Sequence, residues 1–316
     1  MANSFDQMNY FKEKTLVEVA KRCYEGTISK ESAEEIAQEL IPYSHPRVRC
    51  CIYKEREIIR ERAFLAMGYT PKGHDLVPGQ FVYVLEAACD DCNIHRVRIT
   101  DNCRKCLFKA CVNACKFNAI NEGDSKMHIQ YDKCKACTMC AKACPYGSIL
   151  VSDRPCHRSC PTGALIYEED HIAYIDESKC VNCGQCSASC PFGAISEVSF
   201  IRPLIQDMRE GKTTVAMVAP AILGQWGKAH LEQVYEALYQ IGFTHIVEVA
   251  LGADLTTKNE AQEALEAKHE NRKITTSCCP AFVSYIKLKF PKVYQEHTSN
   301  VLSPMAITAR IAREKY

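Results

Sequence analysis

The sequence lacks the features that direct a protein to a membrane, to nucleic acid or out of the cell. Its 316 residues carry a formal net charge of +1, so neither nucleic acid nor an anionic membrane surface is favoured as a partner. The longest mostly apolar stretch, Val215 to Trp226, is too short to cross a bilayer. The segment from Met1 to Phe11 is polar and mixed, without the apolar run of a secretory signal. We therefore expect a cytoplasmic protein that binds neither membrane nor nucleic acid.

Cysteine, in contrast, is abundant. The chain has 21 cysteines, and hydrophobic residues make up 47% of it, which is enough for a globular core. A secreted chain with so many cysteines would be a disulfide scaffold, whereas an intracellular chain uses them for metal or redox chemistry. Because no secretory signal is visible, metal or redox chemistry is favoured.

Three cysteine runs have the spacing of iron–sulfur ligands. Two of them, Cys134 to Cys144 and Cys180 to Cys190, follow the pattern Cys-x2-Cys-x2-Cys-x3-Cys-Pro of bacterial ferredoxins. The run from Cys103 to Cys115 is a variant with a longer middle loop. Short gaps let one loop bring three thiolates to one [4Fe–4S] cube. Structural zinc also uses Cys-x2-Cys pairs, but three consecutive cysteines and a fourth before proline fit zinc poorly.

A second repeat follows four of the cysteines. These are Cys115, Cys144, Cys160 and Cys190. Each precedes a turn with Gly or Asn, then a small residue, then an aliphatic residue. Lys116 stands where the other three copies have proline, which weakens one turn but removes no ligand. Four copies predict two tandem units of two clusters each, with a break near Val151.

The ligand sets follow from the rule that the fourth cysteine of each run binds the cluster of the other run. The first unit is expected to hold one cluster on Cys103, Cys106, Cys111 and Cys144, and another on Cys134, Cys137, Cys140 and Cys115. In the second unit, a third cluster would use Cys180, Cys183, Cys186 and Cys160.

The fourth cluster needs cysteines from outside the runs. Cys156 and Cys190 face each other in this scheme with two ligands missing. We expect Cys89 and Cys92, the unused upstream Cys-x2-Cys pair, to complete the set. The alternatives for this pair are a redox disulfide or an independent zinc half-site.

The rest of the sequence predicts helices at the start and an α/β pattern at the end. Helices are expected in the first 70 residues, including one over 29–40 with Ser29 or Ser32 as N-cap and one over 48–67. Residues 81–85 predict a strand. Beyond residue 200 the pattern predicts strands over 213–219 and 244–250, and helices over 228–241 and 256–268.

The fold class is therefore α+β and α/β, multidomain. We expect a helical N-terminal region over 1–78 and a first ferredoxin-like unit over 79–150, which includes the strand before the upstream Cys-x2-Cys pair. A second ferredoxin-like unit is expected over 151–200, and the start of an α/β domain over 201–316.

One motif of the last part lies outside the ferredoxin pattern: Thr275-Thr-Ser-Cys-Cys-Pro280. A chain of clusters that leads to an isolated Cys-Cys-Pro resembles the first active-site motif of [FeFe]-hydrogenases. Val-Ala-Pro-Ala at 218–221 and Gly-Ala-Asp-Leu-Thr at 252–256 are similar to further family segments. The segment 49–56 resembles the N-terminal region of a monomeric, group B-like branch, whereas Ala281-Phe282 departs from the Gly-Trp of better-known members.

The resemblance implies roles for particular residues. Cys279 would ligate the cube of the H-cluster, which joins a [4Fe–4S] cube to a di-iron site, and Cys278 would relay protons beside it. Pro220 and Ala221 would lie against this cofactor. Glu260, Glu263 and the hydroxyl of Ser299 or Thr298 would form the proton path. Without the motif, the two cysteines would be read as buried thiols and the two glutamates as a solvated helix face.

The function implied for the complete enzyme is the reversible reduction of protons to H2, with ferredoxin or another one-electron carrier as partner, in an anaerobic organism. The H-cluster cube needs four thiolates, and Cys279 is the one that can be assigned. The family's later cysteine motifs would lie downstream of a helix over 303–315. We therefore expect a fragment of a longer or split enzyme, which binds four [4Fe–4S] clusters without a complete H-cluster. A polyferredoxin-like electron carrier and a redox or H2 sensor are the alternatives.

Overall fold

The N-terminal helices form a bundle that includes one helix from much later in the chain. The computed structural model describes residues 4–42, 45–89, 92, 95–167 and 172–316. The bundle consists of α1 (Ser4–Glu25), α2 (Ser32–Leu40), α3 (Ile52–Ala66) and α8 (Ile201–Arg209). Val19, Ile36 and Ala63 are fully buried between these helices, and Ile205 of α8 joins them. The sequence had assigned residues from 201 onward to the C-terminal domain, but α8 packs with the N-terminal helices.

Two of these helices begin later than expected. Helix α2 begins at Ser32 without a side-chain cap, and the Ser32 hydroxyl instead accepts a hydrogen bond from the Ser29 amide at 3.1 Å. Helix α3 begins at Ile52, because the amides of residues 47–49 donate to the Glu55 carboxylate instead of continuing a helix. The side chain of Glu55 thereby folds the preceding loop back onto α3.

The first ferredoxin-like unit has two antiparallel strand pairs and two short helices. The strand β2 (Val97–Ile99) pairs with β5 (Ile149–Val151), and β3 (Ile120–Glu122) pairs with β4 (Met127–Ile129). The helices are α4 (Ala110–Asn113) and α5 (Met139–Ala143). The small core of this unit joins apolar strand residues to cysteines, among which Cys111 and Cys140 are buried.

The second unit repeats this plan with a strand taken from upstream. The strand β6 (Leu165–Tyr167) pairs with β7 (Ala173–Ile175), and β8 (Ile195–Glu197) pairs with β1 (Val82–Val84). Helices α6 (Pro155–Ser159) and α7 (Gln185–Ser189) complete it. The boundary drawn at residue 79 placed β1 in the first unit, but its backbone hydrogen bonds are made with the second. A short 3-10 turn, Glu86–Ala88, then leads directly to Cys89.

Helix α3 packs on this second unit. Ile58 and Leu65 of α3 pack in one cluster with Tyr83 of β1, with Leu85 directly after β1, and with Ala194 from the turn before β8. The helical region therefore covers one end of the second unit, next to Cys190.

The C-terminal unit begins with a β-α-β arrangement, as the sequence predicts. The strands β9 (Val215–Val218) and β10 (His245–Glu248) pair in parallel. The helices are α9 (Leu231–Ile241), α10 (Val249–His269), α11 (Pro280–Lys289), α12 (Pro291–His297) and α13 (Pro304–Lys315). Helix α10 starts directly after β10, seven residues before the predicted position 256, and packs against α13.

The surface of the C-terminal unit carries large apolar side chains. Trp226 is 59% exposed and Leu265 is 61% exposed. Among the described residues, no helix combines the length and apolar character needed to cross a membrane.

Candidate iron–sulfur sites and the Cys278–Cys279 segment

The turn that follows each repeated cysteine has the same backbone form in all four copies. The third residue after the cysteine has a positive φ: Asn118 at 48°, Gly147 at 59°, Gly163 at 71° and Gly193 at 59°. This left-handed region favours Gly and tolerates Asn, which are the residue types found there. The next residue is 1% exposed in every copy: Ala119, Ser148, Ala164 and Ala194. A small residue is needed at this position because it lies within the packed core.

The same turn aims a backbone amide at the cysteine sulfur. The Ala119 amide donates to Cys115 Sγ at 3.3 Å and the Ala164 amide donates to Cys160 Sγ at 3.2 Å. The Ala194 amide donates to Cys190 Sγ at 3.3 Å. Such a donor stabilises negative charge on sulfur, and thiolate is the form that binds iron.

The Cys-x2-Cys loops also share an unusual backbone. The residue before the second cysteine is left-handed in three loops, with φ of 45° at Lys105, 52° at Ala136 and 51° at Asn182. A second left-handed residue follows at the start of the next short helix, at Lys109, Thr138 and Gly184. These two reversals wrap the loop around a centre and bring the third cysteine of each run into the core, where Cys111, Cys140 and Cys186 are each 8% exposed.

Three small cavities are each lined by four cysteines. The first set is Cys103, Cys106, Cys111 and Cys144. The second set is Cys115, Cys134, Cys137 and Cys140, and the third set is Cys160, Cys180, Cys183 and Cys186. Each set draws three cysteines from one run and one from outside that run, as the exchange of fourth ligands in two-cluster ferredoxins requires.

A fourth set gathers around a deeply buried thiol. Cys156 is 6% exposed, and burial together with the nearby Cys190, Cys89 and Cys92 raises its pKa to about 11. The Ala173 amide of β7 donates to Cys89 Sγ at 3.4 Å, which fixes the upstream pair against the second unit. The structure thus brings Cys89, Cys92 and Cys190 near Cys156, the four cysteines predicted for the fourth set.

Burial controls the protonation of these thiols. It raises the pKa of Cys111, Cys140 and Cys180, and it raises the pKa of Cys186 to about 11. Burial acts in the same direction on Cys160, but hydrogen bonds from the Thr162 hydroxyl and from backbone amides outweigh it and lower the Cys160 pKa. A positively charged metal core would bind these sulfurs as thiolates and displace their protons to solvent, and its attraction for the thiolates would offset the cost of burying them.

The donor chemistry fits [4Fe–4S] cubes. Within the described residues, no three His, Cys, Asp or Glu side chains converge closely enough to hold a single metal ion. A cube does not need such convergence, because its four iron corners spread the four thiolates apart. Each of the four sets provides one thiol for each corner.

The candidate catalytic segment is organised by Glu260 of α10. Its carboxylate accepts hydrogen bonds from the Thr276 hydroxyl at 2.7 Å and from the Ser277 amide at 2.8 Å. The Cys278 amide in turn donates to Thr276 Oγ1 at 3.3 Å. Glu260 is thus linked to the backbone of Cys278 through one hydroxyl. Thr276 and Ser277 were not among the predicted site residues, although their position directly before Cys-Cys could have indicated them.

The other predicted residues of this region are placed differently. Cys278 and Cys279 are exposed at the start of α11, where a buried position had been the alternative. The Ser299 hydroxyl accepts from the Val301 amide at 3.1 Å, and the described hydrogen bonds do not join it to Glu260 or Glu263. Glu263 Oε2 is buried and has no hydrogen-bond partner among the described residues.

Pro220 and Ala221 lie in a 3-10 turn, Pro220–Ile222, that follows the carboxyl end of β9. Both residues are exposed. They occupy the edge of the parallel pair at which α/β proteins commonly bind ligands.

Three parts of the chain match known protein families. Residues 212–316 match the family model of the iron only hydrogenase large subunit, C-terminal domain. Residues 126–149 and 173–196 each match a 4Fe-4S binding domain. The first of these covers the second run of cysteines and the other covers the third run.

Relatives of two kinds match parts of this chain. Electron transport protein HydN of Escherichia coli (strain K12) is 36% identical over 61 residues, which are 19% of this chain and 35% of HydN. Iron hydrogenase 1 of Clostridium pasteurianum is 31% identical over 86 residues, 27% of this chain and 15% of the relative. The uncharacterized ferredoxin MJ0265 of Methanocaldococcus jannaschii is 36% identical over 52 residues, 16% and 31% of the two chains. The matches therefore span about a third or less of these relatives.

The ferredoxin-like units and their cysteine sets define an iron–sulfur electron-transfer protein. Residues 212–316 are in addition similar to the large subunit of iron only hydrogenases, and the alignment with Iron hydrogenase 1 supports the same relationship.

Proposed function

We propose that this chain carries electrons one at a time through four [4Fe–4S] clusters toward the Cys278–Cys279 segment. The observation that carries the proposal is the gathering of twelve cysteines around three small cavities, with Cys89, Cys92 and Cys190 near Cys156 as a fourth set. When bound, such clusters supply one-electron redox chemistry. The chain supplies the thiolates, the amide donors to sulfur and the apolar surroundings that exclude water.

The third cluster is the one that faces the C-terminal unit. Lys289, at the end of α11, donates to the backbone oxygen of Thr162 at 3.3 Å, two residues from Cys160. Cys279 lies at the opposite end of α11, so its backbone is roughly 15 Å from Lys289 along the helix axis. We infer that electrons leave the second unit from the third cluster and travel along this contact.

The first unit is the entry point for an external electron carrier. Five of its exposed basic residues make no ion pair with any described residue: Arg104, Lys116, Lys133, Lys135 and Lys142. Leu107 and Phe108, in the loop between Cys106 and Cys111, are 99% and 77% exposed. A basic surface around an apolar tip suits an acidic one-electron carrier, because charge complementarity steers the encounter and the apolar tip desolvates the contact.

Hydrogen chemistry belongs to the proposal for the complete enzyme. Residues 201–316 contain two cysteines, Cys278 and Cys279, whereas the cube of an H-cluster needs four thiolates, so these residues alone do not fit that cofactor. The chain's own contribution is a route for protons: Glu260 can exchange a proton with the Thr276 hydroxyl beside Cys278. The same count of cysteines favours a second candidate function, an electron carrier without a catalytic centre of its own.

Iron content tests the four-cluster proposal. Anaerobically reconstituted protein should bind about sixteen iron atoms, four for each of four cubes. Cys89→Ser and Cys92→Ser should each lose about four of them, whereas Cys50→Ser, which alters an exposed cysteine outside the four sets, should lose none. Full iron content in both upstream variants would show that this pair is not part of the fourth set.

A hydrogen-evolution assay separates the two candidate functions. The reconstituted chain is supplied with a synthetic di-iron cofactor and a low-potential reductant. We expect cluster reduction without H2 turnover from residues 1–316 alone. Sustained turnover would mean that these residues provide a complete catalytic centre, and it would exclude the electron-carrier function.

A further inference from the structure

One peptide group lies between a buried guanidinium and a cysteine sulfur of the fourth set. Arg62 of α3 donates from Nη2 to the backbone oxygen of Gly193 at 2.6 Å. The N–H of that same peptide group, which belongs to Ala194, donates to Cys190 Sγ at 3.3 Å. Arg62 is 7% exposed, so solvent screens this arrangement little. The guanidinium therefore acts on the sulfur through a single polarised amide.

A polarised amide is a stronger donor to sulfur. Hydrogen bonds in a chain reinforce one another, most of all where the surroundings exclude water. One-electron reduction adds negative charge to a cluster and its thiolates, so donors to sulfur and nearby cations favour the reduced form. Both factors are known to set the potentials of iron–sulfur clusters.

A second cation reinforces the first. Arg49 donates from Nη2 to the backbone oxygen of Phe192 at 2.8 Å, and its guanidinium lies 5.4 Å from the centre of the Phe192 ring. Arg49 and Arg62 both line a cavity of about 550 Å³ that Cys190 also borders. The turn after Cys190 thus receives two guanidinium contacts on consecutive carbonyl oxygens.

The carboxylates around Arg62 are engaged with other partners. Glu197 is exposed and pairs with Lys12 at 3.1 Å. Glu55 accepts three backbone amides through Oε1, and Glu61 accepts the Ala87 amide. Burial, together with the positive charge of Arg49, lowers the pKa of Arg62 to about 10, which leaves it charged at neutral pH.

The other clusters have no equivalent of Arg62. The Ala119 and Ala164 amides make the same bond to sulfur, but no side-chain donor in the described part of the chain reaches the carbonyl of either peptide group. Near the third set, Lys289 donates to the Thr162 carbonyl, one residue before the carbonyl that is equivalent to that of Gly193. Lys289 is exposed, so water and salt screen its charge.

We propose that Arg62, assisted by Arg49, raises the reduction potential of the fourth cluster above that of the third cluster in the same unit, so that an electron in the second unit rests on the fourth cluster. Arg62 is a positioning residue, because it acts through the Gly193–Ala194 peptide and does not touch the cluster. The inference rests on the four-cluster function proposed above.

The test is a redox titration of the reconstituted chain, followed by EPR. Cys89→Ser first identifies the signal of the fourth cluster as the one that is lost. Arg62→Met should then shift the midpoint potential of this signal to lower values and leave the other three in place. Arg62→Lys keeps the charge, so its midpoint potential should lie between those of Arg62→Met and the wild type. Arg49→Gln should lower the same potential by less than Arg62→Met does. The matched control is Arg56→Met on the same helix, whose guanidinium donates to the Ile41 carbonyl and not to a carbonyl of the turn after Cys190.

The outcomes separate the two proposals. An unchanged fourth-cluster potential in Arg62→Met with four clusters present overturns the inference, as does an equal shift in Arg56→Met. If Arg62→Met fails to fold, Arg49→Gln decides, because an unchanged potential in that variant also overturns the inference. Full cluster content in Cys89→Ser would instead refute the fourth ligand set itself.

Discussion

Gly163→Ala tests whether the left-handed turn after the repeated cysteines holds the clusters. Gly163 has a φ of 71°, and a Cβ built at this position meets no atom within 4 Å, so the substitution introduces no clash. The cost is then conformational: about 1–2 kcal/mol for an L-residue in the left-handed region. Lower entropy of the unfolded chain offsets about 0.4–1 kcal/mol of this. A net loss of about 1 kcal/mol remains.

The chain provides its own matched control. Asn118 occupies the equivalent position of the first unit at a φ of 48°, so Gly163→Asn should be nearly neutral. The assay is anaerobic thermal unfolding, followed by the visible absorbance of the clusters. For Gly163→Ala we expect the midpoint to fall by roughly 2–4 °C. Equal midpoints for wild type and Gly163→Ala, or an equal loss in Gly163→Asn, would refute the view that this backbone form is required.

Two further substitutions test the packing around the sites. Burial raises the pKa of Glu61 to about 7, whereas a carboxyl in the unfolded chain titrates near about 4.3, so the folded state binds the proton more tightly. Stability should therefore fall by about 3 kcal/mol as pH rises between these values and stay constant above them. Glu61→Gln should remove this pH dependence. The measurement is the unfolding midpoint of each protein at pH 5 and pH 8. Gly252→Ala would gain about 1 kcal/mol of helix propensity, but its Cβ would lie 2.2 Å from Thr308 Oγ1 and 2.3 Å from the Pro304 oxygen. We expect faster proteolysis of the C-terminal unit, and no rescue by adding Thr308→Ala, because the backbone oxygen of Pro304 remains.

The local features of the cluster sites could be read from the sequence. The spacing of cysteines within a run and the turn after Cys115, Cys144, Cys160 and Cys190 depend on residues within a few positions of one another. Gly or Asn at a left-handed position is dictated by the steric clash of Cβ with the backbone, which does not depend on the rest of the fold. The parallel strands β9 and β10 were predicted for a similar reason, since their apolar runs are continuous in sequence.

The proton route depended on contacts that no local pattern shows. A motif placed Glu260 and Glu263 together with a hydroxyl at Ser299, but the structure pairs Glu260 with Thr276 and Ser277. The choice among several nearby hydroxyls is decided by how α10 lies against the segment before Cys278. Helix packing of this kind is set by many weak contacts across the unit, so spacing along the chain cannot specify it.

The sequence by itself determined that this is a multi-cluster iron–sulfur protein, because ligand type and short-range spacing are chemical requirements of the cluster. Tertiary structure alone decided which distant elements contact the second unit. It paired β1 with β8 and set Arg62 on the carbonyl of Gly193. These partners are far apart in the chain and are joined by β-pairing and by the burial of α3 against the sheet. Such long-range contacts depend on how well the surfaces of two distant elements fit each other. The folded structure therefore shows them, whereas the local sequence pattern does not predict them.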